Sequence, residues 1–369
     1  MLKAMTETPE KSPLGPPERP DRNEGDDSAN TERDMIALPS QVAGSGTLDR
    51  LVETARDYAR QAASENTLKA YAKDWAHFAR WCRMRGTDPL PPSPHLIGLY
   101  IADLAAPDGK APALSVASIE RRLSGLAWAY VQRGARLERK DRHIATVLAG
   151  IRRKHARPPV QKEAILPEDL RDMLATLPRD LRGLRDRAIL LIGFAGGLRR
   201  SEIVSLDHGK DDTPDSGGWV EVLEGDVLVT LRGKTGWRKV EIGRGSSDQT
   251  CPVHALSQWL LYSKIDFGPL FVAVSRNGLK ATAERLSNKH VARLIKQTVE
   301  NAGLRPELSK ADRLRLFSGH SLRAGLASSA EVDERYVQKQ LGHASAEMTR
   351  RYQRRRDRFR VNLTKAAGL

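Results

Sequence analysis

The chain has 369 residues, of which 61 are Lys or Arg and 46 are Asp or Glu, so its formal net charge is +15. Hydrophobic residues make up 40% and charged residues 29%, a balance that suits a globular protein and excludes a wholly disordered one. The longest uncharged apolar stretch, 188–198, is shorter than the roughly 20 residues that a membrane-spanning helix needs. Two cysteines, Cys82 and Cys251, make neither a disulfide framework nor a CxxC metal site. The charge favours a polyanionic partner, with nucleic acid ahead of a membrane surface.

The positive charge lies outside the first 47 residues. That segment has five basic and nine acidic residues, a net charge of −4, with six of the 20 prolines and no aromatic residue. It cannot bury enough apolar surface to offset its ordering entropy, so the composition predicts a disordered acidic tail over 1–47. No apolar signal segment follows the N-terminus, and we therefore expect a cytoplasmic protein. Residues 48–369 then carry a net charge of +19.

Helical periodicity dominates residues 48–155. Ser64 is the predicted N-cap of a helix that ends before Gly86, and Ser93 with Pro94 predicts the start of the next one. The apolar faces of the last three helices are predicted to consist of Leu96, Leu99, Tyr100 and Leu104; of Ile119, Leu123, Leu126 and Tyr130; and of Ile144, Leu148 and Ile151. This spacing favours a core role for the aromatic residues over base stacking. Basic residues on the opposite faces predict a phosphate-binding surface formed by Arg121, Arg122, Arg152, Arg153 and Lys154.

A linker and a second domain follow. The tandem prolines Pro158 and Pro159 cannot continue a helix, which predicts a linker over 156–164. In the second domain, 165–369, alternating residues predict three strands near 219–223, 227–231 and 238–242, with helices before them and from about Pro252 onwards. The predicted fold class is therefore mainly α with a small antiparallel β-sheet: an all-helical N-terminal domain and a C-terminal α+β domain.

Three local patterns in the second domain carry candidate chemistry. Paired glycines precede Arg199, Arg200 and Glu202 at a helix start, where arginine and the helix N-terminus suit a phosphate. Lys234 lies in the tight turn between two predicted strands. His320 and Arg323 are spaced to share one helical face, and His343 and Tyr352 follow. Each pattern taken alone is better explained by solvated or packed side chains.

Taken together and in order, Arg199, Lys234, His320-x-x-Arg323, Leu-Gly-His343 and Tyr352 resemble the tyrosine recombinase (phage integrase) family. The form Ser-Gly-His-Ser-x-Arg is similar to that of two-domain members of the Cre and Xer type. The helical stretch 64–82, with its spaced Tyr, Trp and Phe residues, is similar to the SAM-like core-binding domain of that family. The resemblance implies a site-specific recombinase that binds a double-stranded DNA recombination site and needs neither cofactor nor metal.

The resemblance also implies a role for each matched residue. Tyr352 attacks a DNA phosphodiester, which gives a 3′-phosphotyrosine and a free 5′-hydroxyl. Cationic and hydrogen-bonding groups stabilise the transition state: Arg199 and Arg323 as clamps, with His320 and His343 as further donors. Lys234 protonates the leaving 5′-oxygen, and Glu202 orients its neighbours. Two alternatives stay open, namely Lys239 in place of Lys234 and Arg200 in place of Arg199.

The arginine-rich segment 350–360 surrounds Tyr352 with seven arginines in 11 residues. Its predicted contacts with the DNA backbone include Arg350, Arg351, Arg354 and Arg355. An amphipathic pattern after it predicts a C-terminal helix. In the family such a helix docks onto a neighbouring subunit in a homotetramer on two sites, and packing in cis is the alternative.

Three rival functions follow from the same residues. A DNA-binding protein without catalysis would not need the full set of matched catalytic residues. A type IB topoisomerase or a telomere resolvase shares the chemistry, but the His320 and His343 motifs have the recombinase form. An RNA-binding protein explains the charge and not the order of motifs. The sequence therefore predicts a nucleoid-associated recombinase for DNA integration, excision or dimer resolution.

Overall fold

The computed structural model describes residues 48–62, 64–107, 112–158, 161–210, 213–233, 236–330, 332–343 and 345–350. The chain divides after Pro158 into two compact units, the first unit and the second unit. The predicted tail 1–47 and the segment from 351 onwards lie outside the described residues. Within the described ranges, no helix combines the length and the apolar character required to cross a bilayer.

The first unit consists of helices, as the periodicity predicts: α1 (Asp49–Gln61), α2 (Glu65–Met84), α3 (Pro94–Ala105), α4 (Val116–Val131) and α5 (Arg142–His155). Ser64 and Ser93 are the N-caps of α2 and α3, and each hydroxyl accepts a main-chain N–H of the first turn. Phe78, Trp81, Tyr100 and Tyr130 are buried in the core, and the partly buried Trp75 ring meets the Tyr130 ring edge to face at 5.2 Å. The expectation for Leu99 is wrong, because this residue is exposed, and Ile97 and Ile101 complete the buried face of α3.

The second unit is built on eight helices and six strands among its described residues. The helices are α6 (Pro167–Ala175), α7 (Leu181–Ala195), α8 (Arg200–Val204), α9 (Pro252–Ser263), α10 (Asn288–Asn301), α11 (Lys310–Leu316), α12 (His320–Ser329) and α13 (Glu334–Leu341). The strands are β1 (Leu206–His208), β2 (Gly218–Val222), β3 (Val227–Gly233), β4 (Gly236–Ile242), β5 (Val272–Val274) and β6 (Ala281–Arg285). One apolar core runs from α6 to α12 and includes one face of the sheet.

The sheet has the order β1-β2-β3-β4. The three predicted strands β2, β3 and β4 are antiparallel, and β3 and β4 form a hairpin that closes at the pair Gly233 and Gly236. Strand β1 pairs with β2 in parallel, so the sheet is mixed rather than purely antiparallel. Neither β1 nor the separate hairpin of β5 and β6 was predicted from the sequence.

The first residues of the second unit are bound to the helix α12. The N–H of Ile165 donates to the carbonyl of Ser321 over 3.0 Å, and Arg305 holds Glu163 over 2.6 Å. Gly325 on α12 allows a close approach, since a Cβ there would lie 1.9 Å from the carbonyl oxygen of Ile165. The two contacts of Ile165 tie the start of the second unit to the helix that carries His320 and Arg323, and the Arg305 contact ties it to the segment between α10 and α11.

Candidate active site

Arg199 and Glu202 form a reciprocal pair at the start of α8. The main chain turns from α7 to α8 through Gly197, whose φ of +56° suits glycine. Arg199 is the N-cap residue, and the Glu202 carboxylate accepts its N–H over 2.8 Å and its guanidinium over 2.6 Å. The Glu202 side chain thereby satisfies an N–H that the helix leaves unpaired and orients the half-exposed Arg199 side chain.

Arg238 on β4 joins this pair, which the sequence reasoning did not predict. Its guanidinium donates to Glu202 Oε2 over 3.0 Å and to the main-chain carbonyl of Gln340. Burial raises the pKa of Glu202, but the N–H of Arg199 and the charges of Arg238 and Arg199 outweigh it, so this pKa lies below its ordinary value. Glu202 is therefore a charged group that links two arginines. One signal was present in the sequence, because Arg238 alternates with the apolar Val240 and so lies on the inner face of β4.

Arg323 is buried under the site, with 1% of its surface exposed. Its guanidinium donates to the carbonyls of Gly197 and Leu341, over 2.6 Å and 2.5 Å. The arginine thus connects the end of α7 with the end of α13. His320 lies one turn earlier, at the exposed start of α12. Desolvation, followed by the charges of Arg323 and Arg199, lowers the pKa of His320.

His343 follows α13 after one residue, the C-capping Gly342, whose φ is +59°. The imidazole is buried, and its Nδ1 lies 2.9 Å from the hydroxyl of the fully buried Thr349. Desolvation, and then the charges of Arg323, Arg199, His320 and Arg238, lower the pKa of His343 to about 4. His343 is therefore neutral at pH 7. Sequence reasoning missed Thr349, because a threonine in a basic helical segment carries no signal of its own.

The structure brings five of the sequence-predicted residues together: Arg199, Glu202, His320, Arg323 and His343. Lys234 and Tyr352 lie outside the described residues. The alternative Lys239 is exposed on the face of β4 opposite to Arg238. The alternative Arg200 is exposed beside Gly319, where a Cβ would lie 2.9 Å from the Arg200 Cβ.

The cluster has the composition of an anion site. Arginine side chains in a partly desolvated setting suit two oxygens of one phosphate, and neutral imidazoles add hydrogen-bond donors or acceptors. In the described part of the chain, no group of three or more His, Cys, Asp or Glu side chains is placed to hold a metal ion.

The predicted basic surface of the first unit is more neutralised than its composition indicates. Arg121 donates two hydrogen bonds to the buried Asp74, and Arg122 lies 3.7 Å from the same carboxylate. Arg152 donates to Glu120 over 2.6 Å. Arg153 and Lys154 are exposed in the last turn of α5.

The predicted arginine contacts after α13 are described only in part. Arg350 forms an ion pair with Glu334 at 3.1 Å. The remaining predicted residues of that segment, Arg351, Arg354 and Arg355, lie outside the described residues.

The α+β unit carries a cluster of arginines and histidines that suits a phosphate, and a separate helical unit precedes it in the chain. Residues 163–358 match the model of the Phage integrase family, and the chain belongs to that family. It is a tyrosine recombinase, a site-specific enzyme that cleaves and rejoins DNA strands.

Two curated relatives and one solved structure show the extent of the similarity. An integrase/recombinase XerD homologue of Selenomonas ruminantium is 34% identical over 326 residues, covering 85% of this chain and 89% of the relative. The tyrosine recombinase XerD of Mycobacterium tuberculosis is 28% identical over 301 residues, covering 78% and 86%. The crystal structure of the XerH site-specific recombinase bound to a palindromic difH substrate shares the fold with a TM-score of 0.54 at 19% identity, covering 86% of this chain and 83% of that one.

Proposed function

We propose that Tyr352 is the nucleophile of this recombinase and that the cluster around Arg199 and Arg323 holds the scissile phosphate. One observation carries the proposal: Arg199, His320, Arg323 and His343 come from three separate segments of the chain and act electrostatically on one another. Attack by the tyrosine oxygen breaks the bond from phosphorus to the 5′-oxygen and forms a 3′-phosphotyrosine. The tyrosine hydroxyl loses its proton and the leaving 5′-oxygen gains one, so the step balances, and attack by the 5′-hydroxyl in the reverse direction rejoins the strand.

The arginines supply the charge that this step needs. Negative charge grows on the non-bridging oxygens in the transition state, and donors fixed beforehand stabilise it without reorganisation. Glu202 and the carbonyls of Gly197 and Leu341 hold Arg199 and Arg323 in place by hydrogen bonds. The two guanidinium groups are therefore preorganised.

His343 acts as a neutral donor in this proposal. Its pKa of about 4 keeps the imidazole uncharged at pH 7. The Thr349 hydroxyl lies at Nδ1, and when it donates there the ring proton resides on Nε2. Nε2–H then donates to a phosphate oxygen.

Lys234 is proposed as the general acid that protonates the leaving 5′-oxygen. The opposite orientation of Lys239 relative to Arg238 supports this choice over the alternative. A DNA substrate with sulfur in place of the 5′-bridging oxygen has a leaving group that needs no acid. We expect Lys234→Ala to cleave this substrate at close to the wild-type rate and the oxygen substrate slowly. The assignment is wrong if Lys239→Ala shows this pattern and Lys234→Ala does not.

We further propose that four copies act on two recombination sites in the cytoplasm. The Xer names of the relatives support the two-domain, Xer-like type, with Arg153 and Lys154 of the first unit as exposed backbone contacts. Sedimentation of the protein with a duplex that carries its site tests the stoichiometry. Four protein chains per two duplexes are expected, and a complex that stays at one chain per duplex contradicts the tetramer.

The covalent intermediate provides the main test. The protein is incubated with a nicked suicide duplex that carries the recombination site, and the DNA–protein adduct is measured on a denaturing gel. Wild type should form the adduct and Tyr352→Phe should form none. Tyr336→Phe is a matched control, because Tyr336 is an exposed tyrosine on α13 of the same unit. Loss of the adduct in the control alone would refute the choice of Tyr352.

A further inference from the structure

The outer face of the sheet is the side opposite to the apolar core. The register places its side chains in three rows across β2, β3 and β4. The row at the closed end of the hairpin is Arg232 and Trp237; the second is Trp219, Thr230 and Lys239; the third is Glu221, Leu228 and Glu241. Charge is therefore ordered on this face, with cations towards the hairpin end and carboxylates away from it.

Two tryptophans lie at the cationic end. The rings of Trp219 and Trp237 are 5.5 Å apart between centroids and inclined at 54°. Trp237 is 59% exposed. This exposure is unusual, because tryptophan has a large apolar side chain that is mostly buried in folded proteins. The Lys210 ammonium lies 5.7 Å from the centre of the Trp219 ring. The surface thus combines an open aromatic ring with three cations, Lys210, Arg232 and Lys239, which are all exposed.

The aromatic pair is not part of the core of the second unit. The core side of the same strands is filled by Val229, Leu231 and Val240, which are fully buried. On the outer face only Thr230 is buried, and its hydroxyl has no hydrogen-bond partner among the described residues. Trp219 lies opposite this threonine in the strand register, and Trp237 stays largely exposed, so burial of apolar surface does not account for the position of Trp237.

We propose that this surface, formed by Trp219, Trp237, Lys210, Arg232 and Lys239, binds a short single-stranded segment of DNA. An exposed ring face accepts an unpaired base by stacking, and the surrounding cations pair with phosphates. A duplex offers no such base, because its base faces are already stacked. The Trp219 indole N–H donates to the Glu221 carboxylate over 3.2 Å, but the three exposed cations outnumber this carboxylate and favour a polyanionic ligand.

The place of the surface fits a strand released by cleavage. Trp237 follows Lys234 by three positions in the sequence, and Lys234 is the residue proposed to act on the scissile bond. An enzyme that cleaves and rejoins strands must hold a free strand end between the two steps. The inference uses this family activity, and its link to the cleaved strand rests on the role proposed for Lys234, whereas the binding of unpaired bases is tested by itself.

The test compares two oligonucleotides with equal charge. Full-length protein is titrated into a fluorescein-labelled thymidine octamer and into an octamer of abasic residues, and anisotropy gives both dissociation constants. We expect the thymidine octamer to bind about tenfold more tightly, which corresponds to about 1.4 kcal/mol and lies within the range for stacking of one base. Trp237→Ala should abolish this preference, and Trp237→Phe should keep most of it.

Two controls separate stacking from charge and from general surface changes. Phe267→Ala removes another aromatic residue of the second unit that is 67% exposed, and the preference should persist. Arg232→Gln should weaken binding of both octamers by the same factor. Equal affinities of the wild type for the two octamers, or an unchanged preference in Trp237→Ala, would overturn the proposal.

Three further outcomes show which part of the reasoning has failed. If Trp237→Ala changes only the self-association of the protein in sedimentation, the surface is a contact between copies and the proposal is wrong. If the wild type forms the covalent adduct but shows no base preference, the proposed function stands and this inference fails. If the wild type shows the base preference but forms no covalent adduct, this inference stands and the proposed function fails.

Discussion

The free energy of unfolding should depend on the buried contact between Glu202 and Arg238. Arg238→Met keeps a long apolar stem and removes the guanidinium, whose side chain is 14% exposed. The change deletes one hydrogen bond to a carboxylate and one to the carbonyl of Gln340. Hydrogen bonds to charged groups contribute about 1.5–3 kcal/mol each. Removal of the desolvation cost of the guanidinium offsets part of that loss.

We therefore expect Arg238→Met to lower the free energy of unfolding by about 2 kcal/mol, or the Tm of the second unit by about 4–8 °C. Glu202→Gln should cost a similar amount, because two arginines lose their common carboxylate. The double variant should cost less than the sum of the two by about 1.5 kcal/mol, since the second change removes a group that has already lost its partner.

The assay is urea unfolding of the wild type, both single variants and the double variant. Arg244→Met is the matched control, because its ion pair with Asp248 is exposed on both sides, and such pairs contribute about 0–1 kcal/mol. A coupling energy below about 0.5 kcal/mol would show that Glu202 and Arg238 do not act as a unit. A cost for Arg238→Met no larger than that of Arg244→Met would refute the reasoning altogether.

Three other predictions concern pH, close packing and a buried charge. The folded pKa of His343, about 4, lies below the unfolded value of 6.5, so the unfolded chain binds the proton first and stability should fall as pH drops from 6.5 to 4. The free energy of unfolding should change by at most about 1.4 kcal/mol per pH unit through this group. Urea unfolding at several pH values should show a weaker pH dependence for His343→Gln than for the wild type. Gly325→Ala should lower the Tm, because the added Cβ would lie 1.9 Å from a main-chain oxygen. Gly150→Ala in α5 should raise the Tm, because no atom lies within 4 Å of the added Cβ and alanine favours a helix. Calorimetry that gives Gly325→Ala the higher Tm would contradict the packing. Asp74→Asn leaves two arginines without their carboxylate and should cost about 3 kcal/mol, measured by thermal unfolding, and an unchanged Tm would contradict this ion pair.

The helices of the first unit could be predicted because each has one apolar face towards a single core. The capping serines marked the starts of α2 and α3 for the same local reason: an N–H without a partner needs a short polar side chain. Leu99 was misassigned because helical spacing alone does not fix the width of the buried stripe. Strands β1, β5 and β6 were missed because three to five residues with partial burial give no alternation.

The site could be predicted only where a motif carried it. Arg199, His320, Arg323 and His343 came from the ordered resemblance to a family. Arg238 and Thr349 depend on tertiary contacts, and the Arg238 bond to the carbonyl of Gln340 joins residues 102 positions apart. Local alternation places Arg238 on the inner face of β4 but does not identify Gln340 as its partner. The placement of Lys234 and Tyr352 stays a prediction.

The orientation of Arg323 is set by the path of the main chain. Two of its acceptors are the carbonyl oxygens of Gly197 and Leu341, and a carbonyl is present whatever side chain a position carries. Substitution of Leu341 can change the packing around the arginine but cannot delete the acceptor. The orientation of this guanidinium therefore does not depend on which side chains its partner residues carry. An active site of this kind can keep its geometry while the surrounding sequence diverges.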